Sequence, residues 1–283
     1  MSRTLLVTGD DFGLDAGVNA AIAAAHRDGI LTSASLMVTG SALPEAVALA
    51  REQPELSIGL HLVLSGHEVP AASKPETIPD LVDTAGRFAA NPALAGIFDG
   101  LFWQRRRDQI QREIRAQIER YLDTGLSLDH VDGHHHLHLH PFIFEVLLAC
   151  MEEYRIHWLR LAEEDVVARH GSAWAPREVE PAILAALSRR ARERLRRSSS
   201  VGAAERLYGL RATGCISAEE ILWLLPRITA RSVELYAHPD RGSEQGRREE
   251  SAFRSPAVRE AVHAAGFELV SSRTLGRGEA VAA

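Results

Sequence analysis

Lysine is almost missing from this chain of 283 residues: Lys74 is the only one, and arginine supplies the remaining basic charge. So uniform a bias reads as coding preference rather than function. Cysteine is scarce as well, with Cys150 and Cys215 far apart and outside any CxxC pair. That spacing excludes a disulfide framework and a thiolate metal site, and leaves both as small buried hydrophobes. No apolar run approaches the ~18 residues of a membrane-spanning helix. The opening Leu5-Leu-Val-Thr stretch is also far too short for the apolar core of a signal peptide. A cytoplasmic protein that touches a membrane surface at most is the expectation. Excess positive charge is lacking too, since the formal net charge is −6, so nothing points to a nucleic-acid partner. Oligomeric state is left open, a homo-oligomer included. No internal repeat is evident. What is present is an ordinary globular composition, 46% hydrophobic and 25% charged, in a length that buries a full core.

The apolar pattern alternates between short strands and helices. Thr4–Thr8 is an unalternating run suited to a strand buried on both faces. Ala16–Arg27 has helical spacing, with Gly29 as terminator. Further strands are expected at Ser35–Val38, Ser57–Leu62, Leu128–Asp132, His157–Leu161, within Tyr208–Gly214, at Val233–Ala237 and at Phe267–Val270. Helices are expected at Pro44–Arg51, Trp103–Tyr121, Pro141–Tyr154, from the Ser217/Glu220 capping box to Leu225, and from Ser255 through Ala265. About seven βα units in one domain, residues 1–283, predict a parallel barrel with its site at the C-terminal strand ends; a doubly wound open sheet is the alternative. Two stretches break the rhythm. Residues 63–100 form a long proline-containing loop, of the kind that serves as a lid or binding loop. Residues 165–200 form a basic insertion in which Arg189–Arg197 is densely cationic, either a solvated helix face or a surface for an anionic membrane or ligand.

Chemistry concentrates around His130-Val-Asp-Gly-His-His-His-Leu-His-Leu-His140. If this stretch is extended, His134, His136, His138 and His140 form a one-sided wall of imidazoles and His135 points away; Pro141 then starts a helix. Such a wall needs partners from other strand ends to make a metal site, and three candidates exist: Asp10-Asp11, His61 and His238. One carboxylate and two imidazoles leave positions open for water and substrate. Asp11, His61 and His134 are therefore expected to hold one divalent ion, with His136 the closest rival for the third place. Two adjacent acids cannot easily both face one ion, so Asp10 is expected to act as general base, unless it merely caps the first helix, which Asp15 can do equally well. His238 is placed to donate a proton to a leaving group. His136 and His138, with Asp132 and Arg160, are candidates for substrate contact or for orienting the ligands.

The segments Leu5-Leu-Val-Thr-Gly-Asp-Asp-Phe-Gly-Leu14, Gly59-Leu-His-Leu62, Asp129-His-Val-Asp-Gly-His-His-His-Leu-His-Leu-His-Pro141 and Tyr236-Ala-His-Pro239 resemble, in order, the motifs of the YdjC-like (ChbG) carbohydrate deacetylases. Within that family the likeness is to the hopanoid-biosynthesis-associated, HpnK-like branch. Further similarity at Asn19, Leu31–Met37, Ile78–Asp83 and Ser255–Arg259 extends it over nearly the whole chain. The resemblance implies a distorted (β/α) barrel of the glycoside hydrolase/deacetylase type and a metal-dependent N-deacetylase acting on an N-acetylated amino sugar. For the hopanoid branch it implies an N-acetylglucosaminyl lipid as substrate. It places the metal-binding Asp on Asp11, the base on Asp10 and the motif histidines on His61, His134 and His238. Asp132 stands where asparagine or serine is expected in many relatives; the extra carboxylate would make the histidines more basic. The ion is zinc or magnesium by this reading, although an Asp-His-His set also suits others. Competing readings are a deacetylase of soluble chito-oligosaccharides, a glycoside or phosphoester hydrolase on the same barrel, and a non-catalytic His-rich metal carrier. Glycosidases use two opposed carboxylates rather than a histidine-rich centre, which weighs against that alternative.

Overall fold

The computed structural model describes residues 3–66, 69–89, 103–165, 179–198 and 200–276. Among these described residues are seven parallel strands: β1 (Arg3–Phe12), β2 (Ser33–Leu36), β3 (Ser57–Leu62), β4 (Val131–Gly133), β5 (Arg206–Tyr208), β6 (Ser232–Ala237) and β7 (Phe267–Val270). Their order is β4-β3-β2-β1-β6-β5, with β7 paired to the first half of β1. The sheet curls until residues 157–163 bridge its edges. Arg160 N–H donates to Val131 on β4, Leu159 N–H donates to Gly202, and Leu207 N–H on β5 donates to Glu163. This is a distorted parallel barrel, as expected. The strand anticipated at 157–161 is reduced to isolated bridges, Val131 with Leu159 and Trp158 with Gly202.

Among the described residues nine helices surround the sheet: α1 (Ala16–Asp28), α2 (Leu43–Glu52), α3 (Trp103–Leu122), α4 (Pro141–Tyr154), α5 (Val179–Ser198), α6 (Ala218–Leu224), α7 (Glu244–Phe253), α8 (Pro256–Ala264) and α9 (Ser272–Gly276). Their starts follow local chemistry. Asp15 accepts from the backbone N–H of Gly17 and Val18 to cap α1, and Ser217 accepts from Glu220 N–H to cap α6, each satisfying donors that have no partner inside the helix. Pro141 occupies the first position of α4, where its missing N–H is harmless. Helix α7 was not expected from the sequence. It is caught between the Ser243 cap and Arg254; its buried residues are Gly246, Glu249 and Glu250, with the apolar Ala252 and Phe253 only at its last turn.

The long loop after β3 is held where it is described. Glu113 on α3 accepts from the backbone N–H of Ala72 and Ser73, and Gln109 accepts from Asp80 N–H. Residues 67–68 and 90–100 of that loop lie outside the described residues, as do 166–178 and 199 of the basic segment. Helix α5 belongs to the body of the protein: Leu184, Ala191 and Leu195 are buried in the core. Arg192 donates to the carbonyls of Ala204 and Glu205. Arg189, Arg190, Arg196 and Arg197 remain exposed. Among the described residues no helix is long and apolar enough to cross a membrane.

The outer faces of the strands pack the apolar core, but the barrel interior is polar. Side chains at every second position line it: Thr8 and Asp10 on β1, Ser33 and Ser35 on β2, Ser57 and His61 on β3, and Glu234 and Tyr236 on β6. His130 and Asp132 from the β4 segment and Arg160 from the bridge complete it. All are buried, with none above 3% exposure. Buried polar groups persist only when hydrogen-bonded or paired, and here they satisfy one another.

Candidate metal centre

The polar column opens at the C-terminal ends of β1, β3, β4 and β6 into a cleft of about 550 Å³. Its lining includes Asp10, Asp11, His61, His134, His136, Tyr236 and His238. Backbone irregularity explains how two adjacent acids reach the same cleft. Pairing of β1 with β2 shifts between Gly9–Ala34 and Phe12–Leu36, so one extra residue is inserted in β1. Asp11 takes it up with φ +65°, a left-handed conformation that Asp tolerates better than most residues. Regular alternation would send Asp11 to the opposite face from Asp10; the bulge turns it back.

The histidine wall does not form. Strand β4 ends at Gly133, and His134–Leu139 winds into a short 3-10 turn with His135 and His136 at φ 53° and 52°. The side chains then leave in different directions. His134 meets Asp11 and His61, and His135 meets Ser65. His136 faces Tyr236, whose hydroxyl lies 3.2 Å from Nε2. His138 turns inward so that Nε2 donates to the Arg160 carbonyl at 3.0 Å. His138 is 1% exposed and lies outside the cleft lining, so its contact is with the Arg160 carbonyl behind the cleft. Burial pushes its imidazole down to about 4, and it stays neutral.

Asp11 Oδ1, His61 Nε2 and His134 Nδ1 form a near-equilateral triangle, each pair 3.3 Å apart. Ligands on a tetrahedral ion with bonds of ~2.0–2.1 Å stand ~3.3–3.4 Å from one another, so this donor set fits a divalent ion without rearrangement. Asp132 Oδ1 lies 2.8 Å from His61 Nδ1. A carboxylate there keeps the proton on Nδ1 and turns the Nε2 lone pair into the triangle. The environment already favours positive charge at that point. Burial pulls the His61 imidazole down, yet Asp132 beside it, with Asp11, raises it to about 10. Burial likewise pushes Asp11 up, but hydrogen bonds from His134 and His61 bring it well below the usual carboxylate range. A second trio, Asp10, His61 and Asp132, is also close. There a resident cation is present, because Arg160 pairs with both Asp10 and Asp132.

Arg160 is the hub beneath the cleft. It is 1% exposed. Its NH1 and NH2 donate to the two oxygens of Asp10 at 2.6 and 2.8 Å, NH1 lies 2.8 Å from Asp132, and Nε donates to Glu234 at 2.8 Å. Its guanidinium also lies 4.8 Å from the Tyr236 ring centre. Bidentate pairing fixes the carboxylate plane of Asp10. Arg160 does not line the cleft, so of its two expected roles the structure supports orienting Asp10 and Asp132 rather than touching substrate. Asp132, 0% exposed, likewise sits behind His61. Glu234 was not anticipated. It accepts from Thr8 and Arg160, and burial pushes its carboxyl up while Arg160 draws it down. A lone Glu in an otherwise apolar strand was the available signal. His238 follows β6 on the cleft wall, its backbone N–H donating to the buried Glu249 of α7 at 2.7 Å. Glu249 was also missed, along with its helix.

Comparison with known proteins gives a consistent picture. Residues 4–264 match the family described as YdjC-like protein. A carbohydrate deacetylase of Brevibacillus brevis is 43% identical over 155 residues, 54% of this chain and 57% of that protein. A chitooligosaccharide deacetylase of Salmonella paratyphi B is 34% identical over 154 residues, 52% of this chain and 55% of that protein. The chain thus matches little more than half the length of these relatives. Among solved structures, a protein of Enterococcus faecalis V583 named for cellobiose-phosphate cleavage superposes with a TM-score of 0.75 at 25% identity, covering 98% of this chain and 100% of that one.

Proposed function

The chain belongs to the YdjC-like protein family, and we propose that within it the protein is a metal-dependent N-deacetylase that releases acetate from an N-acetylated amino sugar. The observation that carries this reading is the 3.3 Å triangle of Asp11, His61 and His134, set in one cleft with a second carboxylate, Asp10, and with His238. The names of the Brevibacillus and Salmonella relatives support it. A divalent ion, zinc or magnesium, held by the three side chains would supply Lewis acidity, bringing the pKa of water towards ~7 and drawing charge from an amide oxygen. Asp10, its plane fixed by Arg160, takes the proton of the attacking water as general base. His238 gives a proton to the departing amine, without which C–N cleavage is slow. His136 and Tyr236, joined at 3.2 Å on the cleft wall, are assigned to the sugar's polar groups.

For the substrate we take the N-acetylglucosaminyl group of a hopanoid lipid, from the likeness to that branch. An apolar rim supports it: α5 contributes Pro181 and Leu184 to the cleft, and neighbouring Ile183 is 56% exposed. The exposed arginines of Arg189–Arg197 would then rest on an anionic membrane surface at its cytoplasmic face. A chito-oligosaccharide, the substrate class in the Salmonella relative's name, is the second reading.

One assay separates these. Purified protein of measured metal content is incubated with N-acetylglucosaminyl lipid in vesicles and with chito-oligosaccharides, and acetate is followed. Acetate from the lipid, abolished by Asp11→Ala, is the expected result. Acetate from neither substrate with metal bound overturns the deacetylase reading, and release surviving Asp11→Ala overturns the ion assignment. Replacing Arg189, Arg190, Arg196 and Arg197 by glutamine should lower turnover of the vesicle substrate more than of the soluble one; equal loss overturns the membrane contact.

A further inference from the structure

His130 is 2% exposed, lies at the bottom of the polar column, and takes no part in the chemistry above. It is nonetheless the middle of a continuous hydrogen-bonded chain that ends on a metal-site histidine. Asp129 accepts from Ser57 at 2.8 Å, and Ser57 lies 2.8 Å from Ser272 Oγ. Ser272 Oγ is 2.7 Å from His130 Nδ1, and His130 Nε2 is 3.1 Å from Ser35 Oγ. Ser35 donates to Asp132 Oδ2 at 2.7 Å, and Asp132 Oδ1 faces His61 Nδ1 at 2.8 Å. Four elements, β2, β3, the β4 segment and α9, converge on these atoms.

A proton count leaves this chain two arrangements, set by which nitrogen of His130 carries the hydrogen. Between the carboxylates of Asp129 and Asp132 there are five links, and three hydroxyls plus a neutral imidazole carry only four hydrogens. One link must go without. If His130 carried its hydrogen on Nδ1, the gap would fall beside Ser35 and Asp132, next to the metal-site histidine. With the hydrogen on Nε2, His130 donates to Ser35, Ser35 donates to Asp132, and Ser272 donates to Nδ1. The gap then falls at Ser57, where Asp129 retains donors from Ser127 and Arg273. Burial lowers the His130 pKa, which agrees with a neutral ring. The space is shaped for that ring: a Cβ on Gly59 would lie 2.3–2.4 Å from three of its atoms.

We infer that His130 is a positioning residue for the metal centre: its Nε2–H holds Ser35 as a donor to Asp132, and Asp132 so held keeps the His61 Nε2 lone pair turned into the Asp11–His61–His134 triangle. This rests on the metal-binding part of the proposed function and on none of its substrate assignments. Loss of a group that orients a metal ligand typically lowers affinity 10–100-fold.

The test is titration of metal-free protein with Zn2+ against a competing chelator, alongside thermal melting of the metal-free form. Ser35→Ala, a small change that the fold accommodates, and His130→Leu are expected to weaken Zn2+ binding about tenfold or more. His130→Gln, which restores an N–H near the Nε2 position, should recover most of that loss. A core control, Val146→Ala on α4, should lower the melting temperature without moving Zn2+ affinity. Wild-type affinity in Ser35→Ala, or a loss in His130→Leu no greater than in the core control, overturns this inference alone. Absence of Zn2+ binding by the unaltered chain overturns it together with the metal-dependent reading.

Discussion

Replacing Arg160 with Met tests whether the polar column is held by its central cation. Met nearly matches the volume and removes only the charge and its donors. Arg160 is 1% exposed and faces Asp10, Asp132 and Glu234 at 2.6–2.8 Å, so water screens little of the interaction. Removing one partner of a buried ion cluster leaves the others uncompensated and costs about 3–5 kcal/mol. At about 2 °C for each kcal/mol in a chain of this size, the melting temperature should fall by roughly 6–10 °C. The dependence on pH identifies the cause. Burial pushes Asp132 and Glu234 up and Arg160 draws both down, with His61 also drawing on Asp132. Without Arg160 the Glu234 carboxyl, already raised, rises further above its unfolded value, so the folded form binds more protons and loses stability as pH rises through that window. Each tenfold change in proton affinity is about 1.4 kcal/mol. Urea denaturation of metal-free protein should therefore show a clearly larger deficit at pH 8 than at pH 5. A loss below about 1 kcal/mol, well under the range for a broken buried ion pair, or one equal at both pH values, would refute the reasoning.

Two further outcomes follow from the same geometry. In the metal-free protein burial pulls the His61 imidazole down, but Asp132 and Asp11 raise it to about 10, above the unfolded value near ~6.5. Its stabilising contribution is complete below the unfolded pKa and disappears as pH rises through 10. Binding of an ion must displace that proton, so Zn2+ affinity should rise about tenfold for each pH unit between about 7 and 9, as read by chelator competition; a flat profile would overturn the raised His61 pKa. Gly59→Ala drives a methyl group to 2.3–2.4 Å from the His130 ring. Overpacking of this kind costs about 1–3 kcal/mol, measurable by denaturation, and Zn2+ binding should weaken with it because the displaced ring no longer holds Ser35.

Much of the frame was legible because it rests on local rules. Strand β3, helix α4 and strand β7 fall at the expected residues, and the Ser217 cap is where its spacing placed it. Capping, N-terminal proline and apolar runs are short-range signals, and nothing in the tertiary structure opposes them. The grouping of Asp11, His61 and His134 was also legible, because a parallel barrel gathers its C-terminal strand ends whatever the register. Helix α7 escaped notice because it buries Glu249, which accepts from backbone N–H groups of neighbouring loops, and Glu250, which accepts from Arg241 and Arg254, and no apolar period marks it. The expected 157–161 strand failed for a related reason. That segment pairs only at points, because Arg160 must reach Asp10, Asp132 and Glu234 at once. The polar interior was hidden by its serines: Ser33, Ser35 and Ser57 within short strands look neutral until their partners, Asp132, Asp129 and Ser272, are known.

What no periodicity rule reaches is the backbone at the site itself. Among the described residues four non-glycine positions have positive φ, and three of them are Asp11, His135 and His136. Each left-handed residue costs roughly 1–2 kcal/mol for an L-amino acid, and such conformations persist only where the surroundings over-determine them. The reason is visible in what regular backbone would do. A straight β1 would point Asp11 away from Asp10, and a straight continuation of β4 would align four histidines in a row that no single ion can use. One bulge and two consecutive left-handed residues instead bring one carboxylate and one imidazole to within 3.3 Å of each other and of His61. They also free His136 for the cleft wall and His138 for the Arg160 carbonyl. The strain is therefore located where the fold gives up regular alternation to make adjacent residues do different work. An alternation rule applied to that stretch had to fail there, and its failure marks the site.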